Sequence, residues 1–131
     1  MTKASVAALV LPLVLLAALG FASCESESRR VREVVLPELD LSGLEDGTYS
    51  GEVAYREHPY RVGVTVQDHR ICRLEVAESP GEEHDLAALA VLQRVLAEQK
   101  LGVDAVSGAT RSSRLYLIAA YEALTGETIE Y

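Results

Sequence analysis

Apolar and polar residues alternate along three stretches in the middle of the chain, which is the pattern of half-buried strands. The residues on the apolar faces are Tyr49, Val53 and Tyr55 in the first stretch, Tyr60, Val62, Val64 and Val66 in the second, and Cys72, Leu74 and Val76 in the third. Polar breaks at 56–59 and 68–70 separate the stretches, and Ser79-Pro80-Gly81 ends the last one. The pattern predicts a three-stranded antiparallel meander with one buried face.

Two later stretches have apolar residues at helical spacing. Between Glu83 and Gln99 the apolar positions are Leu86, Leu89, Leu92, Val95 and Leu96. They predict a helix with one face toward the sheet. From Arg111 to Leu124 few positions are polar, so this helix should be buried on most sides, with Gly126 as its C-terminal cap. We expect an α+β fold, in which two helices pack on an antiparallel sheet of three or four strands.

The first 23 residues form one apolar run with a single charge, on Lys3. This is typical of a secretory signal peptide. The run ends in Phe-Ala-Ser-Cys24, which resembles a bacterial lipobox with Phe21 in place of the usual Leu, and in a lipobox the cysteine becomes lipid-modified. The alternative is an uncleaved membrane helix, for which about 20 apolar residues suffice. The arginines at 29, 30 and 32 would then hold the domain in the cytoplasm.

Residues 24–43 are expected to form a membrane tether or linker, and residues 44–131 the folded domain. The stretch begins with charged residues, and Val34-Val35-Leu36-Pro37 then interrupts any helical pattern. Three interpretations of Val34 to Leu36 stay open: a short strand, a strap against the domain, or part of a spacer.

Charge and composition exclude several classes of protein. The chain of 131 residues carries a formal net charge of −8, which disfavours nucleic-acid binding because phosphates need basic surfaces. No glycine-rich nucleotide-binding motif occurs, and His58, His69 and His84 lack the spacing of metal ligands, so no metal site is expected. The only cysteines are Cys24 and Cys72. Parity alone allows a disulfide between them, but the predicted inward face makes Cys72 a small core residue.

Candidate chemistry is concentrated in residues 103–113, just before the second long helix. Gly108 permits a positive φ, and the hydroxyls of Thr110, Ser112 and Ser113 lie where the start of a helix takes capping oxygens. A helix start also offers free N–H groups and a positive dipole end to an anion such as phosphate. These residues fit two interpretations: an anion site with Thr110 as a nucleophilic hydroxyl, or a capped helix after a glycine turn.

The run Asp-Ala-Val-Ser-Gly-Ala-Thr at 104–110 resembles the flavinylation motif of the FMN-binding domain family. Asp104 matches the acid of that motif, and Ser107, Gly108 and Ala109 match its core. Thr110 matches the residue that carries FMN through a phosphoester bond. The resemblance therefore implies FMN as a covalent cofactor on Thr110.

A second run, Asp-Gly-Thr-Tyr-Ser-Gly-Glu at 46–52, resembles the opening of FMN-binding domains. The two runs occur in the family's order, and the resemblance spans residues 44–126. The family includes the small flavin subunits of Na⁺-translocating NADH:quinone reductase and of the RNF complex.

The resemblance to the FMN-binding family also implies partners, and the lipobox-like end of the apolar run implies a location. A separate flavin transferase that uses FAD and Mg²⁺ would attach the FMN, and Asp104 would help it to recognise the acceptor loop. The protein would be an extracytoplasmic lipoprotein, anchored through Cys24 at the periplasmic face or the cell surface. It would carry electrons to redox partner proteins or a quinone-linked complex, as an electron-transfer flavoprotein and not a stand-alone enzyme.

Two other functions stay open at this point. One is a non-redox lipoprotein that binds or senses FMN, and the other is an accessory subunit of a quinone-reductase or RNF-type complex, which the short chain disfavours. Several tyrosines are candidates for stacking on the flavin ring, although the sequence assigns none of them: Tyr49, Tyr55, Tyr60, Tyr116 and Tyr121.

Overall fold

The computed structural model describes residues 26–131, so the predicted signal peptide and Cys24 lie outside the described residues. The described chain begins with a helix, α1, over 26–33, and a short 3-10 helix follows at Leu41–Gly43. The strands are β1 (Gly47–Tyr55), β2 (His58–Gln67) and β3 (Arg70–Glu78). The helices that follow are α2 (Glu83–Ala88), α3 (Ala90–Glu98) and α4 (Thr110–Thr125).

The three strands form one antiparallel sheet in the order β1-β2-β3, as the alternating pattern predicts. Each hairpin turns through two residues with positive φ: Arg56 and Glu57 in the first, Asp68 and His69 in the second. Turns of this hand match the twist of the paired strands. The predicted break at 56–59 is too long, because two residues close the hairpin and the next two already belong to β2.

Helix α4 packs across β1 and β2, while α3 packs against β3. Eleven of the sixteen residues of α4 are buried, and Gly126 ends the helix with φ 70°, as predicted. Gly51 lies where the backbone of α4 comes close to the sheet. A Cβ on Gly51 would overlap the backbone oxygen of Ala119 and lie 2.6 Å from the backbone nitrogen of Ala123. The described residues therefore form an α+β fold with the helices on one face of the sheet.

The helix predicted over Glu83–Gln99 is interrupted at Leu89. The N–H of Leu89 donates to the carbonyl of Leu86, and the N–H of Leu92 donates to that of Leu89, so the backbone makes i to i−3 bonds here. A 3-10 turn has fewer residues per turn than an α-helix, which rotates the buried face of α2 relative to that of α3. The prediction that Leu86 faces the sheet is wrong, since it is 56% exposed, and Asp85 and Ala88 are buried instead.

Helix α3 ends at Gln99, which adopts a left-handed conformation. Its side-chain amide accepts from the N–H of Ile71 at 2.8 Å and donates to the carbonyl of Ile71 at 2.9 Å. This pair of bonds joins the end of α3 to the start of β3.

Cys72 is exposed, so the prediction that it fills the core is wrong. In the β2–β3 ladder Thr65 lies opposite Arg73 and Val66 lies opposite Ile71, which leaves Cys72 as an extra residue. Such a bulge inserts one residue into one strand and breaks its period of two. Ile71, which is 2% exposed, takes the inward position instead.

The segment before the sheet packs against the domain. Val31, Val34 and Leu36 belong to the same core as the sheet and α4, whereas Val35 between them is 87% exposed. Of the interpretations left open for this stretch, the contacts correspond to a strap. Within residues 26–131 no helix has the length and apolar character needed to cross a membrane.

Candidate functional site

A cavity of about 390 Å³ opens at the N-terminal end of α4. Its volume lies within the range of small-molecule sites in proteins. Five of its lining residues are consecutive at the start of α4 and one comes from α1: Gly108, Ala109, Thr110, Arg111, Ser112 and Arg32.

A tight turn presents the backbone of this loop to the cavity. The N–H of Ala109 donates to the carbonyl of Val106 at 3.0 Å, and Gly108 has a φ of 81°. A positive φ at the third position of a turn favours glycine, which accounts for Gly108. Ala109 then occupies the N-cap of α4 and has no side-chain oxygen, so no N-cap side chain satisfies the first N–H groups of the helix.

The hydroxyls near the helix start do not cap it, so the capping contacts of one of the two interpretations left open by the sequence do not form. Ser113 Oγ accepts from the backbone N–H of Val106 at 3.1 Å, and Ser112 Oγ donates to Asp85 Oδ1 at 2.5 Å. Thr110 lines the cavity, and its hydroxyl forms no hydrogen bond with another residue of the described chain. Among residues 26–131, no neighbouring group therefore engages the Thr110 hydroxyl.

Arg94 of α3 holds the loop that leads into the turn. Its Nη1 donates to the backbone oxygen of Asp104 at 2.7 Å and to that of Ala105 at 2.9 Å. In the sequence Arg94 is a polar position between the apolar residues Leu92 and Val95 of this helix. No local pattern signals that its partners are carbonyl groups 10 and 11 residues later.

A buried carboxylate supports the start of α4 from inside the protein. Asp85 is 1% exposed, and its Oδ1 accepts from the hydroxyls of Ser112 and Tyr60, the latter at 2.9 Å. Burial and the hydrogen bond to Asp85 raise the pKa of Tyr60 well above its usual range. The ring of Tyr116 meets that of Tyr60 edge to face, with centroids 5.3 Å apart. Sequence reasoning missed Asp85, because an acid in the first turn of a helix is a common exposed residue that complements the helix dipole.

The charges around the cavity favour an anion. Arg32 and Arg111 line it, and neither forms an ion pair with a residue in 26–131. No carboxylate of the described chain lines the cavity. Arg111 Nε is buried and has no hydrogen-bond partner among residues 26–131, while its guanidinium lies 5.1 Å from the ring centroid of Tyr55. A buried donor without a partner indicates a site for an acceptor group.

The family model for the FMN-binding domain matches residues 57–125, more than half of the chain. The chain belongs to the FMN-binding domain family. No curated protein matches the sequence. As a member of this family, the protein is a flavoprotein that binds FMN. The matched range includes the loop, the turn and all of α4, and it begins after the run at 46–52.

The site fits the phosphate of FMN. Three groups would hold it: the uncapped N–H groups at the start of α4, Arg111 and Arg32. Of the two arginines of α4, Arg111 lines the cavity and Arg114 does not. When bound, FMN supplies the redox chemistry, and the protein supplies position and electrostatics.

The structure brings together only part of the predicted motif. Gly108, Ala109 and Thr110 line the cavity, whereas Asp104 and Ser107 are exposed and lie outside its wall. A smaller cavity of about 150 Å³ adjoins the site through Arg111, which borders both. Its remaining walls are formed by Tyr55, Arg56, His58, Tyr60, Pro80 and Glu82. Among the described residues, no cluster of His, Cys, Asp and Glu has the arrangement of a metal site.

Proposed function

We propose that the protein carries electrons outside the cytoplasm through an FMN whose phosphate is esterified to Thr110. The observation that carries this proposal is the state of the Thr110 hydroxyl. It lies in an arginine-lined cavity without a hydrogen-bond partner in residues 26–131, while the two nearby serine hydroxyls are engaged.

The attachment is a transfer from FAD, catalysed by a separate flavin transferase with Mg²⁺. Thr110 Oγ1 attacks the phosphorus on the flavin side of the diphosphate. The Oγ1–P bond forms, the P–O bond to AMP breaks, and AMP leaves with the bridging oxygen. The hydroxyl proton passes to a base of the transferase, and no redox change occurs. We infer that exposed Asp104 contacts the transferase, since it lies outside the cavity wall.

Intact-mass measurement tests the covalent bond. The protein co-produced with an active flavin transferase should gain the mass of one FMN less one water, and its flavin fluorescence should survive denaturation. Thr110→Ala should lack both, and Thr110→Ser should retain a hydroxyl acceptor. Thr128→Ala is a matched control, because Thr128 is an exposed threonine away from the cavity.

An unmodified wild-type mass beside an active transferase would contradict the covalent proposal. FMN that binds but dissociates on denaturation would then support the non-redox binding or sensing function. Recovery of the protein in a stable membrane complex would support the accessory-subunit function.

The location forms part of the same proposal. Residues 1–23 would be removed as a signal peptide, and Cys24 would carry lipid at the periplasmic face or the cell surface. A covalent bond suits this location, because a cofactor that dissociates outside the cytoplasm is lost to diffusion. The mass of the N-terminal peptide from membrane-isolated protein tests this: lipidated Cys24 supports it, and a retained Met1 contradicts it.

Electron transfer is tested in membrane vesicles that contain the flavinylated protein. Addition of a respiratory donor should bleach the absorbance of the attached flavin, and addition of an acceptor should restore it. Vesicles with Thr110→Ala should lack this signal. An attached flavin that stays oxidised under every donor would contradict a role in electron transfer to redox partners or a quinone-linked complex.

A further inference from the structure

The first helix of the described chain reaches the cavity at the start of α4. Val31 of α1 is fully buried and Ser28, one turn earlier, is 9% exposed, so the helix is held against the domain. The position next to Val31 is Arg32, and it forms part of the cavity wall together with Thr110 and Arg111. A residue 78 positions before the acceptor threonine thus shares its cavity.

Arg32 also carries a positive charge that no acidic residue of 26–131 neutralises. Its side chain is exposed and makes no ion pair within residues 26–131, although the chain carries a net charge of −8. With Arg111 it places two guanidinium groups on a cavity without a carboxylate in its described wall. Guanidinium groups suit phosphate because they offer several N–H donors in a planar fork.

We propose that Arg32 binds the phosphate of the FMN attached to Thr110, so that the strap before the sheet is part of the flavin site. This inference rests on the proposed function. Attachment of FMN then stabilises the docking of α1, and α1 in turn orients the flavin relative to the N-terminal side of the chain. Arg32 is a binding residue in this proposal and takes no part in the transfer reaction.

The variants for the test are Arg32→Gln, Arg32→Lys and Arg30→Gln. Arg30 is the matched control, because it is an exposed arginine of the same helix that lies about 200° around the axis from Arg32 and outside the cavity wall. Each variant is produced both with the flavin transferase and without it. Intact mass establishes which samples carry FMN.

The measured quantity is the rise in Tm caused by flavin attachment. Arg32→Gln should reduce this rise by roughly 4 °C and leave the Tm of the unmodified protein unchanged. Arg32→Lys should keep part of the rise, and Arg30→Gln should keep all of it. A residue with a purely structural role would lower the Tm of both forms equally. An equal rise in the wild type and Arg32→Gln overturns the proposal.

A second measurement separates this proposal from the covalent one. If intact mass shows no attachment, the covalent proposal fails, and titration of the unmodified protein with inorganic phosphate decides the role of Arg32. Arg32→Gln should then weaken the phosphate Kd roughly tenfold relative to the wild type and Arg30→Gln. Equal affinities, or no phosphate binding by the wild type, overturn the proposal.

Discussion

Ser112 Oγ donates a 2.5 Å hydrogen bond to Asp85 Oδ1, and this bond joins the first turn of α4 to α2 inside the protein. The hydroxyl of Tyr60, from the central strand, donates to the same oxygen. One carboxylate therefore joins β2, α2 and α4, and its partner in α4, Ser112, lies two residues after Thr110. Asp85 itself does not line the cavity.

The loss of stability on replacement of Asp85 should depend on whether the new side chain keeps a hydrogen-bond acceptor. Asp85→Ala leaves two buried hydroxyls without their acceptor, and we expect the free energy of unfolding to fall by about 3 kcal/mol. Asp85→Asn keeps an amide oxygen and should lose about 1 kcal/mol. Urea titration measures both. Glu83→Ala, at an exposed position of the same helix, should change stability by less than about 0.5 kcal/mol. Equal losses in the two Asp85 variants would contradict this account.

Arg94 should matter for the order of the acceptor loop more than for the fold. Arg94→Ala removes the donor that holds the carbonyls of Asp104 and Ala105. We expect faster amide hydrogen exchange in residues 104–109 and a roughly tenfold lower initial rate of flavin attachment. Gln93→Ala, at the exposed neighbouring position, is the control and should match the wild type in both measurements. Unchanged exchange in the loop of Arg94→Ala would show that other contacts order it.

Gly51→Ala should be strongly destabilising, because its Cβ would enter the backbone of α4 at Ala119 and Ala123. Overpacking of this kind costs about 1–3 kcal/mol, and we expect the upper part of that range since the neighbour is backbone. Gly63→Ala is the matched control in β2, where the nearest atom, the backbone oxygen of Glu75, is 4.0 Å from the added Cβ. Thermal unfolding should separate the two variants clearly. Equal Tm values would rule out the close approach of α4 to β1.

Stability should fall at alkaline pH because of buried tyrosines. Burial and the hydrogen bond to Asp85 raise the pKa of Tyr60, and burial raises that of Tyr116. In the unfolded chain a tyrosine ionises near pH ~10. The folded protein keeps these protons longer, so their contribution is complete below about pH 10 and is lost as the pH rises above it.

Urea titrations between pH 8 and pH 11 check this dependence. The loss of stability per pH unit should be smaller in Tyr60→Phe than in the wild type, because one shifted group is gone. Tyrosinate absorbance recorded in the same samples should rise together with unfolding. An identical slope in Tyr60→Phe would exclude Tyr60 as a source of the alkaline dependence.

The secondary structure was predictable wherever the period of the pattern is regular. The alternation from Tyr60 to Val66 and the apolar positions of α4 report burial directly, since a buried face repeats every two residues in a strand and every three or four in a helix. The predictions for Cys72 and Leu86 failed for two different reasons. A bulge at Cys72 moves the inward position of β3 to Ile71. In α2 the buried face follows Asp85 and Ala88, and Leu86 points away from that face.

The sequence alone placed Gly108, Ala109 and Thr110 together at the start of α4, because residues that are adjacent in the chain stay adjacent after folding. It could not determine the groups that complete the site. Arg32, Asp85 and Arg94 come from three different helices, and each reaches the start of α4 or its loop only after the sheet and helices have packed. Short-range geometry is set by the covalent chain, whereas the second arginine of the cavity and the buried carboxylate beneath Ser112 are placed by tertiary packing.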